Sequence, residues 1–186
     1  MKLLITGHTS AIGSIIAEHY KDHEIIGVSR TSGYDLTNNS GIQKIIELSS
    51  TADHFINLAN VGYSQCELLY GVHTKWKKEG KQGKIISFGT MTTSAPYKLM
   101  KQLPVDFDMT AYIGQKLALE KVHSELSVEN PFGSQPHSVL IRFVNFGEKT
   151  GIRTGEPTTT KEQMLEIVDF VLNSKTYISS IDFREV

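Results

Sequence analysis

The sequence predicts an α/β fold in which helices cover both faces of a doubly wound parallel sheet, in a single domain over residues 1–186. Two observations predict it. Short apolar runs alternate along the chain with longer segments of helical periodicity, and this alternation is typical of parallel sheets. The runs are rich in Ile, Leu, Val and Phe, as strands buried on both faces are.

Six strands and five helices follow from this pattern. The strands are predicted at Lys2–Thr6, Glu24–Ser29, His54–Leu58, Lys84–Phe88, Ser138–Val144 and Thr176–Ile181. The helices are predicted at Ala11–Lys21, Ser40–Ser49, Cys66–Lys78, Thr110–Leu126 and Thr160–Leu172. Ligands bind such sheets beyond the carboxyl ends of the strands. We therefore expect the residues just past the strands to line one edge: Gly7, Arg30, Asn57, Thr90 and Asn145.

The first strand leads directly into a glycine turn. The apolar run Leu3–Ile5 precedes Thr6-Gly-His-Thr-Ser-Ala-Ile-Gly13, and apolar residues with helical spacing follow it. A strand, turn and helix start in this order let the backbone approach a pyrophosphate, whose charge is held at the helix N-terminus. The turn departs from the usual three glycines because Ala11 occupies the middle position. The candidate phosphate-binding residues are Gly7, Thr9, Ser10, Ala11, Ile12 and Gly13.

The residue at the end of the second strand indicates whether a dinucleotide bound there would be NAD(H) or NADP(H). An acidic residue there would hydrogen-bond the ribose 2′-hydroxyl of NAD. This chain has Arg30 instead, and its planar guanidinium is suited to a phosphate. We therefore expect NADP(H) rather than NAD(H), and a solvent-facing Arg30 is the alternative.

Two Tyr-Lys pairs have the four-residue spacing that places both side chains on one face of a helix. Two nearby prolines argue against a long helix at Tyr97–Lys101. Tyr112 and Lys116 instead begin a segment with an apolar helical stripe: Leu117, Leu119, Val122 and Leu126. Because an ammonium favours a neighbouring phenolate, we expect Lys116 to lower the pKa of Tyr112 and make it a proton donor and acceptor.

Taken together, these features resemble the short-chain dehydrogenase/reductase family, whose landmarks follow the same order over most of the chain. The family's Thr-Gly-x-x-x-Gly-x-Gly turn is similar to residues 6–13, and its Asn-Asn-Ala-Gly is similar to Asn-Leu-Ala-Asn at 57–60. The family also has a strand that ends in a catalytic Ser. In this chain Thr90 occupies the position of that Ser. The family's Tyr-x-x-x-Lys is matched by Tyr112 and Lys116.

The resemblance implies a Rossmann-like, NAD(P)-dependent oxidoreductase that reduces a carbonyl to an alcohol, or the reverse, by hydride transfer. Thr90, Tyr112 and Lys116 would form the catalytic set, with Lys116 also binding the nicotinamide ribose. Further cofactor contacts would come from Asp35, Leu36, Asn57, Leu58, Ala59, Asn145 and Phe146. The family's relay Asn is missing, and Ser64, Gln65 or a water molecule would stand in for it.

Family members also carry a substrate lid and form oligomers. Here the lid would be minimal, near 148–160. The helices through which members pair correspond to Cys66–Lys78 and Thr110–Leu126, which implies a homodimer or a homotetramer. The first of these helices has an apolar stripe that pairing and burial against the sheet would explain equally well: Leu68, Leu69, Val72 and Trp76.

Composition argues against several other classes. A net charge of -1 gives no indication of a nucleic-acid partner. The single Cys66 excludes an intrachain disulfide framework and suits a reducing cytoplasm. The histidines show no zinc-binding spacing and no apolar run has the length of a membrane span, so we expect neither a metal site nor a membrane partner. The partner that the resemblance implies is a small-molecule carbonyl or alcohol substrate.

Two other functions stay open. A nucleotide-sugar ketoreductase or epimerase would keep the fold and the Tyr-Lys pair, and the short segment between Arg30 and Asp35 favours it. A non-catalytic dinucleotide-binding sensor or scaffold would fit the departures at Ala11 and Thr90 and the missing relay Asn. The intact Tyr-Lys pair favours an enzyme over this second alternative.

Overall fold

The computed structural model describes residues 1–94, 108–128, 136–143 and 159–183. Its strands are β1 (Lys2–Thr6), β2 (Glu24–Val28), β3 (His54–Asn57), β4 (Lys84–Phe88), β5 (His137–Phe143) and β6 (Ser180–Phe183). Its helices are α1 (Ala11–His19), α2 (Asn39–Ser49), α3 (Ser64–Glu79), α4 (Met109–Val128) and α5 (Lys161–Asn173). Short 3-10 turns follow β2 at Arg30–Ser32 and β4 at Met91–Ser94. The predicted alternation of strands and helices is thus confirmed.

The strands form one parallel sheet in the order β2-β1-β3-β4-β5-β6. The chain runs outward from β1 to β2 and then returns to the other side of β1 with β3. Leu3 accordingly pairs with Ile25 of β2 on one side and with His54 of β3 on the other. A doubly wound sheet has a crevice at the carboxyl ends of the strands where the order reverses. The ligand crevice therefore lies between β1 and β3.

Helices cover both faces of the sheet, because successive residues of a strand point to opposite sides. Leu4 and Phe55 belong to a core that α2, α3 and α4 close. Leu3 and Ile56 belong to a second core beneath α1 and α5. The apolar stripe of α3 is fully buried in the first core, so it packs against the sheet and offers no pairing surface: Leu68, Leu69, Val72 and Trp76.

Polar side chains set the ends of several helices. Ser10, Asn38 and Thr160 each accept a hydrogen bond from the backbone amide three residues further on. These caps explain why α1, α2 and α5 begin within one residue of the predicted positions. At the other end of α5, Lys84 Nζ donates to the carbonyl oxygen of Leu172 at 2.9 Å.

The last strand starts later than predicted. The sequence pattern predicts Thr176–Ile181, whereas the structure has Ser180–Phe183. Pairing with β5 begins only where Ser180 lies opposite Leu140. Before that point the ring of Tyr177 lies edge-on to the ring of His137, the first residue of β5, with 5.3 Å between the ring centroids. Pairing with β5 therefore sets the start of this strand in place of the local strand propensity.

Some predicted residues lie outside the described part of the chain. The lid expected near 148–160 is outside it except for its last two residues. Asn145 and Phe146 are outside it too, as is the alternative pair Tyr97 and Lys101.

Candidate active site

The crevice between β1 and β3 is lined by backbone from the carboxyl ends of both strands. Gly7 follows β1 with a φ of 68°, a left-handed conformation that favours glycine. A Cβ at Gly7 would also lie 3.3 Å from the Cβ of Ala59. The Thr6 hydroxyl accepts hydrogen bonds from the amides of Leu58 at 2.9 Å and Ala59 at 3.1 Å. The structure therefore brings the predicted residues Gly7, Leu58 and Ala59 together at this crevice.

The turn between β1 and α1 has no room for a side chain at its last glycine. A Cβ at Gly13 would lie 2.1 Å from the carbonyl oxygen of Gly7. Ser10 caps α1 by accepting from the Gly13 amide at 3.1 Å. Ala11 is the exposed first residue of α1, so its methyl group is accommodated by an ordinary helical backbone. This turn fits a pyrophosphate, because the first amides of a helix have no acceptor within the helix.

The other turn residues differ in exposure. Thr9 is exposed, whereas Ile12 packs against the core beneath α1. The ring of His8 lies 2.5 Å from where a Cβ on Gly27 would be, so the glycine in β2 makes room for the imidazole. Thr9 is therefore the residue of these three whose side chain is most accessible to a ligand.

Arg30 is exposed in the 3-10 turn that follows β2. Hydroxyl groups surround its backbone, with Ser29 Oγ 2.8 Å from Thr31 Oγ1 and 3.3 Å from Ser32 Oγ. The sequence has no carboxylate between residues 29 and 33. This strand end thus offers a cation and hydroxyl groups, which fit a phosphate better than they fit a ribose diol.

The Asp35 carboxylate accepts hydrogen bonds from its own segment of the chain. Its Oδ1 accepts from the amide of Thr37 at 2.9 Å and from its hydroxyl at 2.8 Å. These bonds lower the pKa of the Asp35 carboxyl, and the charge of Arg30 lowers it further. The adjacent Leu36 packs against the core on the α2 side. Both residues have structural contacts, and their contact with an adenine stays a prediction.

Asn57 stabilises the backbone at the edge of the crevice. It is fully buried at the end of β3, where its Nδ2 donates to the carbonyl oxygen of Gln65 at 2.9 Å. Gln65 Nε2 in turn donates to the carbonyl oxygen of Asn57 at 2.7 Å. This reciprocal pair ties β3 to the first turn of α3. A direct contact of Asn57 with a cofactor stays a prediction.

Thr90, Tyr112 and Lys116 come together at the carboxyl edge beside β4. Thr90 follows that strand and is 5% exposed, and Tyr112 lies in the first turn of α4. The hydroxyls of Thr90 and Tyr112 are hydrogen-bonded to each other. Lys116 is one turn further along α4, with its Nζ 5.7 Å from the centre of the Tyr112 ring. The structure thus unites the three predicted catalytic residues.

The Lys116 ammonium is buried among neutral acceptors. The residue is 4% exposed, and its Nζ donates to Gln65 Oε1 at 2.7 Å and to the carbonyl oxygen of Phe88 at 2.9 Å. Burial lowers the pKa of Lys116 to about 8, and the nearby Cys66 opposes this effect. The side chain is therefore held in one position, where its charge is poorly solvated.

The predicted effect of Lys116 on Tyr112 is wrong for this arrangement. Burial raises the pKa of Tyr112, and the hydrogen bond with Thr90 lowers it by less. The ammonium donates hydrogen bonds to Gln65 Oε1 and to the carbonyl oxygen of Phe88. A phenol kept protonated at neutral pH can act as a proton donor.

Comparison with known proteins identifies the fold. No protein-family model matches the sequence, and none of the curated proteins matches it. Among solved structures, the 3-alpha-hydroxysteroid dehydrogenase of Pseudomonas sp. B-0831, complexed with NADH, matches with a TM-score of 0.73 and 18% identity, covering 98% of this chain and 95% of that chain. The short-chain dehydrogenase of Leptospira borgpetersenii, with bound NAD+, matches with a TM-score of 0.71 and 18% identity, covering 98% and 90%. The chain has the short-chain dehydrogenase fold.

A third neighbour extends this likeness to a reductase. The L-sorbose reductase of Gluconobacter frateurii, complexed with NADPH and L-sorbose, matches with a TM-score of 0.69 and 14% identity, covering 99% of this chain and 95% of that chain. At such identities the likeness establishes the short-chain dehydrogenase fold. The chemistry of the site follows from the residues that this chain places there.

Two residues at the start of α3, Ser64 and Gln65, are the predicted substitutes for the relay Asn. Gln65 reaches Lys116, as its 2.7 Å contact shows. The Ser64 hydroxyl is buried and has no hydrogen-bond partner among the described residues. Of the two candidates, Gln65 is therefore the one that contacts Lys116.

The described segments also bear on two other expectations. Within them, no three His, Cys, Asp or Glu side chains are grouped so that they could hold a metal ion. None of the helices in these segments is long and apolar enough to cross a membrane.

Proposed function

We propose that the protein is a short-chain dehydrogenase/reductase that binds a nicotinamide dinucleotide and interconverts a carbonyl and an alcohol. One observation carries this proposal, namely the hydrogen-bonded hydroxyls of Thr90 and Tyr112 beside the Lys116 ammonium. Two hydroxyls at one point are suited to hold a single substrate oxygen. The proposed enzyme is a single dinucleotide-binding domain over residues 1–186, with a minimal lid near 148–160.

The glycine turn supports the cofactor part of the proposal. Gly7 and Gly13 allow the turn to pack closely at the end of β1, and the amides at the start of α1 would bind the pyrophosphate. Related structures contain NAD+, NADH or NADPH. Arg30 favours NADP(H), because a guanidinium binds a phosphate with two parallel hydrogen bonds. The other proposed contacts are Thr9, Ser10, Ala11, Ile12, Asp35, Leu36, Asn57, Leu58, Ala59, Asn145 and Phe146.

Each member of the catalytic set has a separate role. When bound, the nicotinamide supplies or accepts the hydride. Thr90 donates a hydrogen bond to the substrate oxygen, and Tyr112 gives that oxygen its proton in reduction and takes it back in oxidation. Lys116 binds the nicotinamide ribose, and its charge stabilises the phenolate that remains after proton transfer. Gln65 Oε1 accepts a hydrogen bond from the Lys116 ammonium at 2.7 Å and so helps to fix its position.

A dinucleotide sensor without turnover is a second candidate, and one observation favours it. Burial raises the pKa of Tyr112, and the Lys116 ammonium is already bonded to Gln65 and Phe88. A site in which Lys116 never turns to the phenol would bind the cofactor without accelerating proton transfer.

The variant Tyr112→Phe separates the two candidates, because it removes the hydroxyl and keeps the ring. We expect unchanged NADPH affinity and a turnover of aldehydes or ketones reduced by about 100-fold or more, the usual contribution of a general acid. Tyr70→Phe is the matched control, because Tyr70 is 60% exposed on α3. Equal turnover in both variants would refute the role of Tyr112. NADPH binding by the wild type without turnover of any carbonyl in a broad panel would favour the sensor.

We also propose that the protein forms a homodimer or homotetramer through α3 and α4. The outer faces of these helices expose Tyr70 by 60% and Leu117 by 47%. A covering copy would bury both side chains, which favours association. Sedimentation velocity should show that Leu117→Lys shifts the protein toward monomer. Val128→Lys, at the exposed end of α4, should leave the mass unchanged; a monomeric wild type would contradict the proposal.

A further inference from the structure

Glu120 lies on the same face of α4 as the proposed catalytic residues. It follows Lys116 by four residues and Tyr112 by eight, which places the three side chains in one row along the helix. The Glu120 side chain is 21% exposed. A carboxylate that is largely buried needs hydrogen-bond or ionic partners, and Glu120 has one from each of two other elements.

The first partner belongs to the turn that carries Thr90. The Thr93 hydroxyl lies 2.6 Å from Glu120 Oε1 and 2.9 Å from the carbonyl oxygen of Thr90. The same turn is closed by Thr90 Oγ1, which accepts from the Thr92 amide at 3.2 Å. Glu120 thereby connects the 3-10 turn after β4 to the helix that carries Tyr112.

The second partner is Arg142 on β5. Its Nη1 lies 3.3 Å from Glu120 Oε2. The other side of the guanidinium is fixed by Asp182 of β6, because Nε donates to Oδ1 at 2.7 Å and Nη2 donates to Oδ2 at 2.6 Å. Such a two-pronged pair holds the guanidinium in one orientation. Glu120 therefore meets a cation whose position the sheet determines.

A glycine confirms that this arrangement is closely packed against the site. A Cβ at Gly89 would lie 3.0 Å from the Cγ of Arg142 and 3.2 Å from the Cδ1 of Leu140. The aliphatic part of Arg142 thus crosses the backbone immediately before Thr90. The absence of a side chain at Gly89 allows this crossing.

We propose that Glu120 is a positioning residue that fixes the turn of Thr90 against the helix of Tyr112 and Lys116 by bridging the Thr93 hydroxyl and the Arg142 guanidinium. This inference rests on the proposed function, in which Thr90 and Tyr112 hold one substrate oxygen. Glu120 itself does not touch the reacting groups. It keeps the two hydroxyls within hydrogen-bonding distance of each other, and a small displacement of either would reduce catalysis strongly.

The environment of the Tyr112 hydroxyl can be followed without a substrate by NMR of protein labelled with ¹³Cζ-tyrosine. The resonance that disappears in Tyr112→Phe is that of Tyr112. We expect Glu120→Gln and Thr93→Val to shift that resonance, because the Thr90–Tyr112 hydrogen bond is lengthened or lost. Thr93→Ser keeps the hydroxyl and should return the resonance toward its wild-type position. Glu125→Gln is the matched control, since Glu125 is 64% exposed on the same helix and pairs with the exposed Lys121.

The outcomes separate positioning from stability and from the proposed function. A lower melting temperature in Glu120→Gln with an unmoved Tyr112 resonance would overturn the inference, because the bridge would then only stabilise the fold. A shifted resonance in a protein that binds neither NADPH nor NADH would support the positioning and contradict the proposed function. Should Glu125→Gln move the resonance as far as Glu120→Gln, the effect would be general to α4 and the inference would be wrong.

Discussion

Replacing Lys116 by methionine should change how the stability of the protein depends on pH. Burial lowers the pKa of Lys116 from 10.5 to about 8, and its ammonium donates to two neutral acceptors, Gln65 Oε1 and the carbonyl oxygen of Phe88. Because the folded-state pKa lies below the unfolded one, the unfolded chain binds more protons between these two pH values. The free energy of unfolding therefore rises with pH in this window.

The size of this effect follows from the shift. One unit of pKa corresponds to about 1.4 kcal/mol, so a shift of roughly 2.5 units destabilises the folded protein by about 3 kcal/mol at pH 7. Most of this cost is removed by pH 10. Relative to Lys116→Met, the wild type should thus gain about 2 to 3 kcal/mol of stability between pH 7 and pH 10.

Urea denaturation at a series of pH values measures the difference. Comparing each variant with the wild type cancels the titration of all other groups. Lys121→Met is the matched control, because the Lys121 side chain is 74% exposed on the same helix, and its curve should run parallel to that of the wild type. Parallel curves for the wild type and Lys116→Met would refute the reasoning, because the ammonium would then not be desolvated.

Further predictions concern two helical glycines and one helix end. A Cβ at Gly41 would lie 1.9 Å from the carbonyl oxygen of Asp35, so Gly41→Ala should cost roughly 1–3 kcal/mol in urea denaturation; an unchanged midpoint would contradict that contact. At Gly114 the nearest atom to a Cβ would be 3.9 Å away, so Gly114→Ala should stabilise α4 by up to about 1 kcal/mol, and a loss would contradict the open space. Lys84→Met removes the ammonium bonded to Leu172 and should cost about 1–3 kcal/mol; equal melting temperatures by calorimetry would argue against this cap.

The fold could be predicted from the sequence because its signals are local. Apolar runs such as Leu3–Ile5 and caps such as Ser10 depend on residues close together in the chain. β6 was misplaced for the opposite reason, since its start depends on where Ser180 pairs with a strand distant in sequence. The order of the landmarks likewise predicted that Thr90 and Tyr112 would meet, and the structure places their hydroxyls in contact.

The electrostatics of the site could not be predicted in the same way. A four-residue spacing indicates that Lys116 and Tyr112 share a helix face, but it does not reveal the burial that dominates both pKa values. The acceptors of the ammonium come from α3 and β4. Glu120 was missed because its partners, Thr93 and Arg142, lie on other elements. Its spacing from Lys116 was the one available signal.

Binding of reduced nicotinamide nucleotides tests the central claim most directly. NADPH and NADH should be titrated into the wild type and variants while the nicotinamide fluorescence is followed. Ala11→Glu adds a negative charge at the start of α1, which favours the helix and repels a pyrophosphate. Asn39→Glu makes the same change at the first residue of α2 and serves as its control.

We predict that the wild type and Asn39→Glu bind NADPH alike and that Ala11→Glu binds it at least about tenfold more weakly, a loss of about 1.4 kcal/mol. Arg30→Ala should weaken the binding of NADPH more than that of NADH. If the wild type binds neither nucleotide, or if Ala11→Glu binds NADPH as tightly as Asn39→Glu does, the glycine turn is not a dinucleotide site and the account is wrong.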